Sequence, residues 1–334
     1  MSEGAPARVA IVGTGSIGVS WAIVFARAGH QVSLQDTDAR RLELAVSELA
    51  ARLDDLVQAG LLEEPASVVA ARVAGHHALS DALAGATHVQ ECAPESLELK
   101  QRLFATLDAG TPTATTLASS SSALTISAIA GELPGRSRCL IVHPANPPHL
   151  LPIVELVPAP FTAPAVLEST CDLLTAAGMS PVHVAREVEG FVYNRLQGAV
   201  LREAYCLVRD GVASVEDVDR VMRDGLGRRW AVIGPFETAD LNTRGGIAEH
   251  ARRMGPAYAR MGAERGQHDP WTPELVERVT AQRRSVMALK DWERRVAWRD
   301  RELIAVERAR RRRATEETEG HSSTPGGATK RAPA

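Results

Sequence analysis

The amino-acid sequence predicts an α/β domain with a mostly parallel sheet, followed by an all-helical domain. From residue 9 to residue 184, short apolar runs alternate with segments of helical periodicity, the pattern of a sheet with helices on both faces. From about residue 189 onward only helical periodicity remains. We therefore place the domains at residues 1–188 and 189–313. Residues 314–334, rich in Glu, Ser, Thr, Gly and Pro, are expected to form a disordered tail.

The predicted elements follow one another in a regular order. A strand at 9–12, a helix at 20–28 and a strand at 31–36 form a βαβ unit. A helical hairpin follows, with arms at 39–58 and about 65–73. Further strands are predicted at 88–92, 113–118, 139–142, 153–157 and 181–184. The second domain is predicted to hold helices at 191–209, at 215–222 with Ser214 as N-cap, and at about 273–313.

Composition argues against several classes of protein. The 334 residues are 45% hydrophobic and 24% charged, as in an ordinary globular protein of two domains. A net charge of −3 and only 4% aromatic residues give no case for nucleic-acid binding. The basic run 308–313 is interpreted as a solvated helix end, and His76 and His77 as loop residues without a metal.

Location is inferred from the same kind of observation. The first residues lack the apolar core of a signal peptide, and no apolar run is long enough to span a bilayer. The four cysteines form no C-x-x-C pair, so zinc or redox chemistry is not expected. We expect a cytoplasmic protein with reduced thiols and no membrane partner.

A glycine-rich turn follows the first strand and predicts a dinucleotide site. Gly13, Gly15 and Gly18 fit the G-x-G-x-x-G pattern, with Ser16 and Ile17 between them. Gly13 permits the tight turn, Gly15 lets the backbone approach a pyrophosphate, and Gly18 allows close packing of helix and strand. The motif thus predicts a Rossmann-type domain whose first helix points its N-terminus at the phosphates.

Asp36 ends the second predicted strand, 18 residues after Gly18 (36 − 18), where an acid can bind a ribose 2′-hydroxyl. Its charge would repel a 2′-phosphate, which favours NAD over NADP. Two alternatives stay open: an ordinary glycine turn beside a surface aspartate, and FAD, for which we find no second flavin motif.

A histidine and a glutamate in the segment 143–155 point to the chemistry. His143 is placed just past a predicted strand, and Glu155 lies within the next one between apolar neighbours. A buried carboxylate is costly unless it is paired, and His143 is a natural partner. Together they could form a general base and its orienter. Ser119–Ser122 and Asn194 offer further polar groups, whereas His149 is interpreted as a solvent-facing turn residue.

These motifs, in this order, resemble the L-3-hydroxyacyl-CoA dehydrogenase superfamily. That family has the glycine turn, an acid followed five residues later by lysine, a serine-rich loop, His-x-x-Asn-Pro with a later Glu, and Gly-Phe-x-x-Asn-Arg. The corresponding segments here are 13–18, 95–100, 119–122, 143–155 and 190–195, and the resemblance covers about residues 8–312. The chain looks most like the lambda-crystallin branch, which has L-gulonate 3-dehydrogenase activity, through segments 88–95, 143–148, 225–238 and 298–300.

The resemblance implies a role for each matching residue. His143 would be the general base, held by Glu155. Ser122 and Asn194 would form hydrogen bonds with the reacting oxygen and with the histidine. Among the four serines, Ser122 is chosen by alignment, and Ser121 is the main alternative. Glu95, Lys100 and Asn146 would contact the ribose and nicotinamide end of NAD, and Asp36 the adenosine ribose. The helical domain would form a homodimer.

The substrate is the least determined part. Residues 53–74, which would face CoA, contain no lysine, only Arg72, and two adjacent acids, Glu63 and Glu64. Arg229, beside Trp230, could instead clamp a carboxylate, although a surface arginine lying over Trp230 is the alternative. We therefore expect a small 3-hydroxy acid such as L-gulonate. Three other substrates remain alternatives: a 3-hydroxyacyl-CoA, a diketo ester, and L-carnitine, whose ammonium group could face Trp230, Phe236 or Trp271. The non-enzymatic alternative is a crystallin-like or NAD-sensing protein.

Overall fold

The computed structural model describes residues 6–231, 234–242 and 246–266, together with separate positions between 274 and 312. The predicted tail 314–334, Trp271 and most of the predicted last helix lie outside the described residues. The chain forms two compact units. One extends to Asn194 and includes the described positions from Ala297 onward, and the other covers Arg195–Val296.

The first unit is built on a sheet with eight strands among the described residues. Its strands are β1 (Arg8–Val12), β2 (Gln31–Gln35), β3 (Val73–His76), β4 (His88–Glu91), β5 (Thr116–Ser119), β6 (Cys139–Pro144), β7 (Ile153–Pro158) and β8 (Ser180–His183). Their spatial order is β3-β2-β1-β4-β5-β6-β7-β8. All neighbours pair in parallel except β6 with β7. The order reverses between β1 and β4, the point where such sheets bind ligands.

Helices cover both faces of this sheet. They are α1 (Ser16–Arg27), α2 (Ala39–Gln58), α3 (Ala66–Ala70), α4 (Leu79–Leu83), α5 (Leu97–Gly110), α6 (Ile126–Ala130) and α7 (Pro164–Ala176). Along β1, Val9 and Ile11 belong to one hydrophobic core and Ala10 and Val12 to another. Alternate residues of a strand point to opposite faces, so β1 is buried on both sides. The doubly wound, Rossmann-type architecture predicted from the sequence is confirmed.

The predicted helical hairpin is only partly present. Its first arm matches α2, which Asp38 caps by accepting hydrogen bonds from the Arg40 and Arg41 N–H groups. The second arm is the short helix α3, and the chain then forms β3, which pairs in parallel with β2. The sequence shows no apolar alternation at this exposed edge strand, which explains why we missed it. His76 therefore ends a strand and does not lie in a loop.

Two helices also begin at other residues than predicted. Helix α1 begins at Ser16 rather than at residue 20, directly after the glycine turn. The long helix α8 (Tyr193–Arg209) begins two residues later than predicted, because Gly190 and Phe191 both have positive φ angles, 73° and 49°. Residues in that left-handed region cannot continue a right-handed helix.

The described part of the second unit is helical. After the start of α8 come α9 (Val215–Arg220), a π-helical turn (Val221–Leu226), α10 (Gly227–Trp230), α11 (Pro235–Leu241) and α12 (Gly246–Arg265). Ser214 caps α9 as predicted, accepting a hydrogen bond from the Asp217 N–H. The helical second part of the fold is thus confirmed for the described residues. The predicted boundary at 188/189 remains a prediction.

Candidate active site

The glycine turn between β1 and α1 has the shape that a dinucleotide needs. Gly13 has a φ of 105°, and a Cβ there would lie 2.7 Å from the Cys92 carbonyl oxygen. A Cβ on Gly18 would lie 2.0 Å from the Gly13 carbonyl oxygen. A Cβ on Gly15 would meet nothing within 4 Å, so this side of the turn is open. Close packing thus fixes the first and third glycines, while the second leaves space for a ligand.

The N-terminus of α1 is available to an anion. Gly15 is its N-cap and supplies no side-chain hydrogen bond, and the first turn contains no acidic residue. Ser16 is exposed at this turn and Ile17 is half-buried beside it. The first N–H groups of a helix and its dipole favour a phosphate in this position.

Asp36 follows β2 beside the same turn. Its Oδ2 accepts hydrogen bonds from Thr14 Oγ1 at 2.7 Å and from the Thr14 N–H at 3.3 Å. Partial burial would raise the pKa of Asp36, but hydrogen bonds from the Asp38 N–H and from Thr14 outweigh it and hold this pKa below its usual value. Asp36 is therefore ionised at neutral pH, which suits a ribose hydroxyl and repels a 2′-phosphate. The turn, the helix terminus and this acid together fit NAD.

The register of the antiparallel pair β6–β7 brings His143 and Glu155 together. The two residues lie directly opposite each other, so their side chains share one face of the sheet. His143 Nδ1 and Glu155 Oε2 are 2.7 Å apart, and both side chains are buried. His143 lies inside β6, not just past its end as predicted, because pairing with β7 extends β6 to Pro144.

A turn before α8 supports the glutamate from the other side. The Val192 and Tyr193 N–H groups donate to Glu155 Oε1 at 2.7 and 2.9 Å. Burial would raise the pKa of Glu155, but hydrogen bonds from His143 and from these two N–H groups outweigh burial and keep that pKa below its usual value. An ionised carboxylate only accepts hydrogen bonds, so Nδ1 of His143 is the donor and Nε2 is the basic nitrogen. Nε2 receives no hydrogen bond from the described residues.

Phe191 is a site residue that sequence reasoning missed. Its side chain is fully buried, and its ring lies 5.5 Å from the His143 ring between centroids. Its φ of 49° is unusual for a residue with a side chain, and together with Gly190 it turns the next two N–H groups toward Glu155. The Tyr193 ring lies edge-on to His143 at 6.4 Å. No signal in a single sequence marks such a backbone conformation.

The serine loop after β5 contacts Asn194, which comes directly after Tyr193. Asn194 Nδ2 donates to the Ser122 carbonyl oxygen at 2.9 Å. Ser122 is exposed and its hydroxyl has no hydrogen bond within the described residues. The Ser121 hydroxyl is buried and donates to Glu95 Oε1 at 2.5 Å. Of the two candidate serines, Ser122 is therefore the one with a hydroxyl available to a substrate.

The remaining predicted site residues lie in different surroundings. Glu95 is partly exposed beside the serine loop, but Lys100 is buried and its Nζ lies 2.8 Å from Glu91 Oε1. Asn146 is exposed in the loop after β6. Arg229 is exposed on α10 of the second unit. Roles for these residues toward cofactor and substrate stay predictions.

His149 corrects another expectation. It is buried rather than solvent-facing, and its Nδ1 lies 3.1 Å from Ser20 Oγ on α1. Packing of the loop 145–152 against α1 explains this position.

Within the ranges described above, no group of three or more His, Cys, Asp or Glu side chains is arranged to hold a metal ion. In the same ranges, no helix is both long and apolar enough to cross a membrane.

The fold and the site define an NAD-dependent oxidoreductase. Comparison with protein families agrees: the 3-hydroxyacyl-CoA dehydrogenase NAD binding domain matches residues 8–188, and the C-terminal domain of the same family matches residues 190–291. The chain therefore belongs to the 3-hydroxyacyl-CoA dehydrogenase family, whose members act on CH–OH groups with NAD.

Individual relatives cover most of the chain. The lambda-crystallin homolog of Bos taurus is 43% identical over 301 residues, 89% of this chain and 93% of its own. The L-carnitine dehydrogenase of Streptomyces griseus is 38% identical over 317 residues, 90% of this chain and 89% of its own. Among solved structures, a 5-formyl-3-hydroxy-2-methylpyridine 4-carboxylic acid 5-dehydrogenase, an NAD⁺-dependent dismutase, has a TM-score of 0.79 at 30% identity, covering 91% of this chain and 98% of that one.

Proposed function

We propose that the protein oxidises the 3-hydroxyl group of a small 3-hydroxy acid, similar to L-gulonate, to the 3-keto acid with NAD as acceptor. The observation that carries the proposal is the buried His143–Glu155 pair at 2.7 Å, in which Nε2 of the imidazole has no hydrogen bond to any described residue. Oxidation of an alcohol requires a group that takes the hydroxyl proton, and a histidine oriented by a carboxylate is suited to that task.

Three side chains would hold the reacting hydroxyl. Ser122 Oγ and Asn194 supply hydrogen-bonding groups, and His143 Nε2 accepts the proton. The loop position of Ser122 and the helix position of Asn194 are coupled by the 2.9 Å hydrogen bond between them. Preorganised polar groups of this kind lower the barrier by fixing the orientation of the reacting atoms.

Glu155 stabilises the imidazolium that forms when His143 takes the proton. Its Oε2 bonds His143 and its Oε1 is held by two backbone N–H groups, so the carboxylate cannot swing away. The low pKa of Glu155 keeps the negative charge in place throughout the reaction. NAD, when bound, supplies the hydride acceptor; Asp36, the glycine turn and the first turn of α1 would hold it.

The segment that would face a CoA carrier argues for a small acid. Arg72 is its sole basic residue between positions 53 and 74, and both of its terminal nitrogens bond the Glu64 carboxylate, at 2.8 and 2.6 Å. An arginine already bound bidentately to a carboxylate offers little to a phosphate. CoA carries several phosphates, so a free hydroxy acid fits these surroundings better.

L-Carnitine is a second candidate, because a relative named L-carnitine dehydrogenase is 38% identical over 90% of this chain. Carnitine is also a free 3-hydroxy acid, and it adds a quaternary ammonium group. Trp230 and Phe236 have exposed side chains in the second unit and could receive that cation. Both candidates share the carboxylate for which we propose Arg229.

The decisive experiment measures NAD reduction with L-gulonate, L-carnitine, 3-hydroxybutyrate and 3-hydroxybutyryl-CoA side by side. We expect the highest kcat/KM with a free acid, and an increased KM without a change in NAD affinity when Arg229 is replaced by Lys. Activity with the CoA thioester alone would reject the small-acid proposal. NAD binding without turnover of any substrate would favour a sensor.

A further inference from the structure

A cluster of charged side chains lies beneath the serine loop, and its central carboxylate has no part in the proposed reaction. Glu91, the last residue of β4, is fully buried. Its two oxygens lie 2.8 and 2.9 Å from Lys100 Nζ. They also accept hydrogen bonds from the Ala93 N–H at 2.6 Å and from Ser119 Oγ at 2.5 Å. The carboxylate of Glu91 is thus fully satisfied within the protein.

Lys100 connects this carboxylate to a second one. Its Nζ is also 3.1 Å from the Ala93 carbonyl oxygen and 3.5 Å from Glu95 Oε2. One buried ammonium group therefore lies between the carboxylates of Glu91 and Glu95. Its fixed position restricts where Glu95 can place its oxygens.

Glu95 in turn holds the serine loop. Its Oε1 accepts hydrogen bonds from Ser121 Oγ at 2.5 Å and from the Ser122 and Ala123 N–H groups at 3.1 Å each. On the other side, Asn194 donates to the Ser122 carbonyl oxygen. The backbone of Ser122 is thus fixed from both sides, and its hydroxyl is left exposed.

We propose that the buried Glu91–Lys100 pair is a positioning unit, which fixes the place of the Ser122 hydroxyl through Glu95. The inference rests on the proposed function, because only there does Ser122 touch the substrate. A buried ion pair is a poor device for stability, since apolar residues of similar volume often stabilise as well. A chain of hydrogen bonds, by contrast, carries a defined geometry from β4 to the loop.

The competing explanation is that the charges of Glu91 and Lys100 only neutralise each other inside the protein and do not affect the loop. The double variant Glu91→Gln/Lys100→Met separates the two roles, because it removes both buried charges and leaves Glu95 without its cation. Its control is Glu98→Gln/Arg102→Met, which removes the exposed ion pair between Glu98 and Arg102 on α5. The single variant Glu91→Gln is expected to lose thermal stability, and the double variant to regain most of it.

Hydrogen exchange of the loop tests the geometry without any substrate. We expect the Ser122 and Ala123 amides to exchange about tenfold faster in the double variant than in the wild type, because Glu95 no longer holds them firmly. The control should leave the exchange unchanged. Unaltered protection of these amides in the double variant would overturn the proposal, whatever the substrate proves to be.

Turnover tests the link to catalysis. A displacement of a substrate-positioning group by about 1 Å can lower the rate about a hundredfold. We therefore expect kcat in the double variant to fall by about 10- to 100-fold, while KM changes much less. Recovery of both thermal stability and kcat would show that the pair is only structural. A wild type inactive on every hydroxy acid would reject the proposed function and leave the exchange experiment to decide on the Glu91–Lys100 pair.

Ser121→Ala provides an independent variant should the buried double variant not fold. It removes the hydroxyl hydrogen bond from Ser121 to Glu95, keeps those from the Ser122 and Ala123 N–H groups, and leaves both buried charges intact. We expect faster exchange at Ser122 and a kcat lowered by about tenfold at nearly unchanged thermal stability. Wild-type exchange and kcat in this variant would show that the hydrogen bond from Ser121 to Glu95 does not fix the loop, and the proposal would fail.

Discussion

At residue 143, the chemistry depends on strand register as much as on residue type. His143 and Glu155 lie 12 positions apart in the sequence (155 − 143), and the pairing of β6 with β7 makes them direct neighbours. A slip of one residue would place the two side chains on opposite faces of the sheet. The motif order could therefore be predicted, but the 2.7 Å contact required the structure.

His143→Ala is expected to lower kcat by about 10²- to 10⁴-fold, the usual contribution of a general base. NAD affinity should stay within about twofold, because no contact joins His143 to the glycine turn or Asp36 within the described residues. Steady-state kinetics and calorimetric titration with NAD measure the two effects. His183→Ala, at an exposed position at the end of β8, is the matched control. Near-normal turnover in His143→Ala would refute the base assignment.

Asp36 is expected to set the choice between NAD and NADP. Because its carboxylate is ionised, Asp36→Asn should weaken NAD binding and reduce the NAD-over-NADP preference by about tenfold or more. Dissociation constants for both cofactors test this expectation, with the exposed Asp54→Asn on α2 as control. An unchanged preference would mean that other residues recognise the ribose.

At the level of elements, the parts that the sequence predicted best are those with strong local signals. The glycine turn, α2, the buried strands and the Ser214 cap of α9 each have a clear pattern of glycines, of apolar residues or of a capping residue. The edge strand β3 and the turn at Phe191 have none of these. Likewise, the burial of Lys100 depends on Glu91 and Ser119 from other elements, which spacing along the chain does not show.

The turn between β1 and α1 allows two glycines to be compared directly. Gly18→Ala would place a Cβ 2.0 Å from the Gly13 carbonyl oxygen, so α1 must move and the protein should lose thermal stability. Gly15→Ala meets no atom within 4 Å and should keep its stability, yet bind NAD about tenfold or more weakly because the methyl group occupies the phosphate approach. Thermal melting and NAD titration measure both variants. Equal effects of the two substitutions would contradict these separate roles.

For the whole molecule, the homodimer remains a prediction. In the second unit, α8, α9, the π-helical turn and α12 line an apolar groove that includes the exposed side chains of Val221 and Tyr258. Burial of such a surface against a second copy would be favourable. Sedimentation equilibrium should give twice the chain mass at micromolar concentration. A monomer under these conditions would refute the prediction.

The stability of the whole molecule should fall steeply in acid, because three carboxylates of the candidate site are stabilised in their charged form. Glu95, Glu155 and Asp36 all have pKa values below their usual ones in the folded state. When the pKa of a carboxylate is lower in the folded than in the unfolded protein, its charged form stabilises the fold. This contribution to stability is complete above the pKa of the unfolded chain, 4.5 for Glu and 3.8 for Asp, and is lost as the pH falls through the pKa of the folded protein.

Glu155→Gln isolates one of these contributions. At about pH 7 the variant should melt well below the wild type, because His143 and two N–H groups lose a charged acceptor. As the pH falls from about 5 to about 3, the wild type loses the same contribution through protonation, so the difference in melting temperature should shrink. Glu98→Gln, at an exposed position on α5, should show no such convergence. A difference between Glu155→Gln and wild type that stayed constant from about pH 7 to about pH 3 would mean that the charge of Glu155 does not contribute to folding.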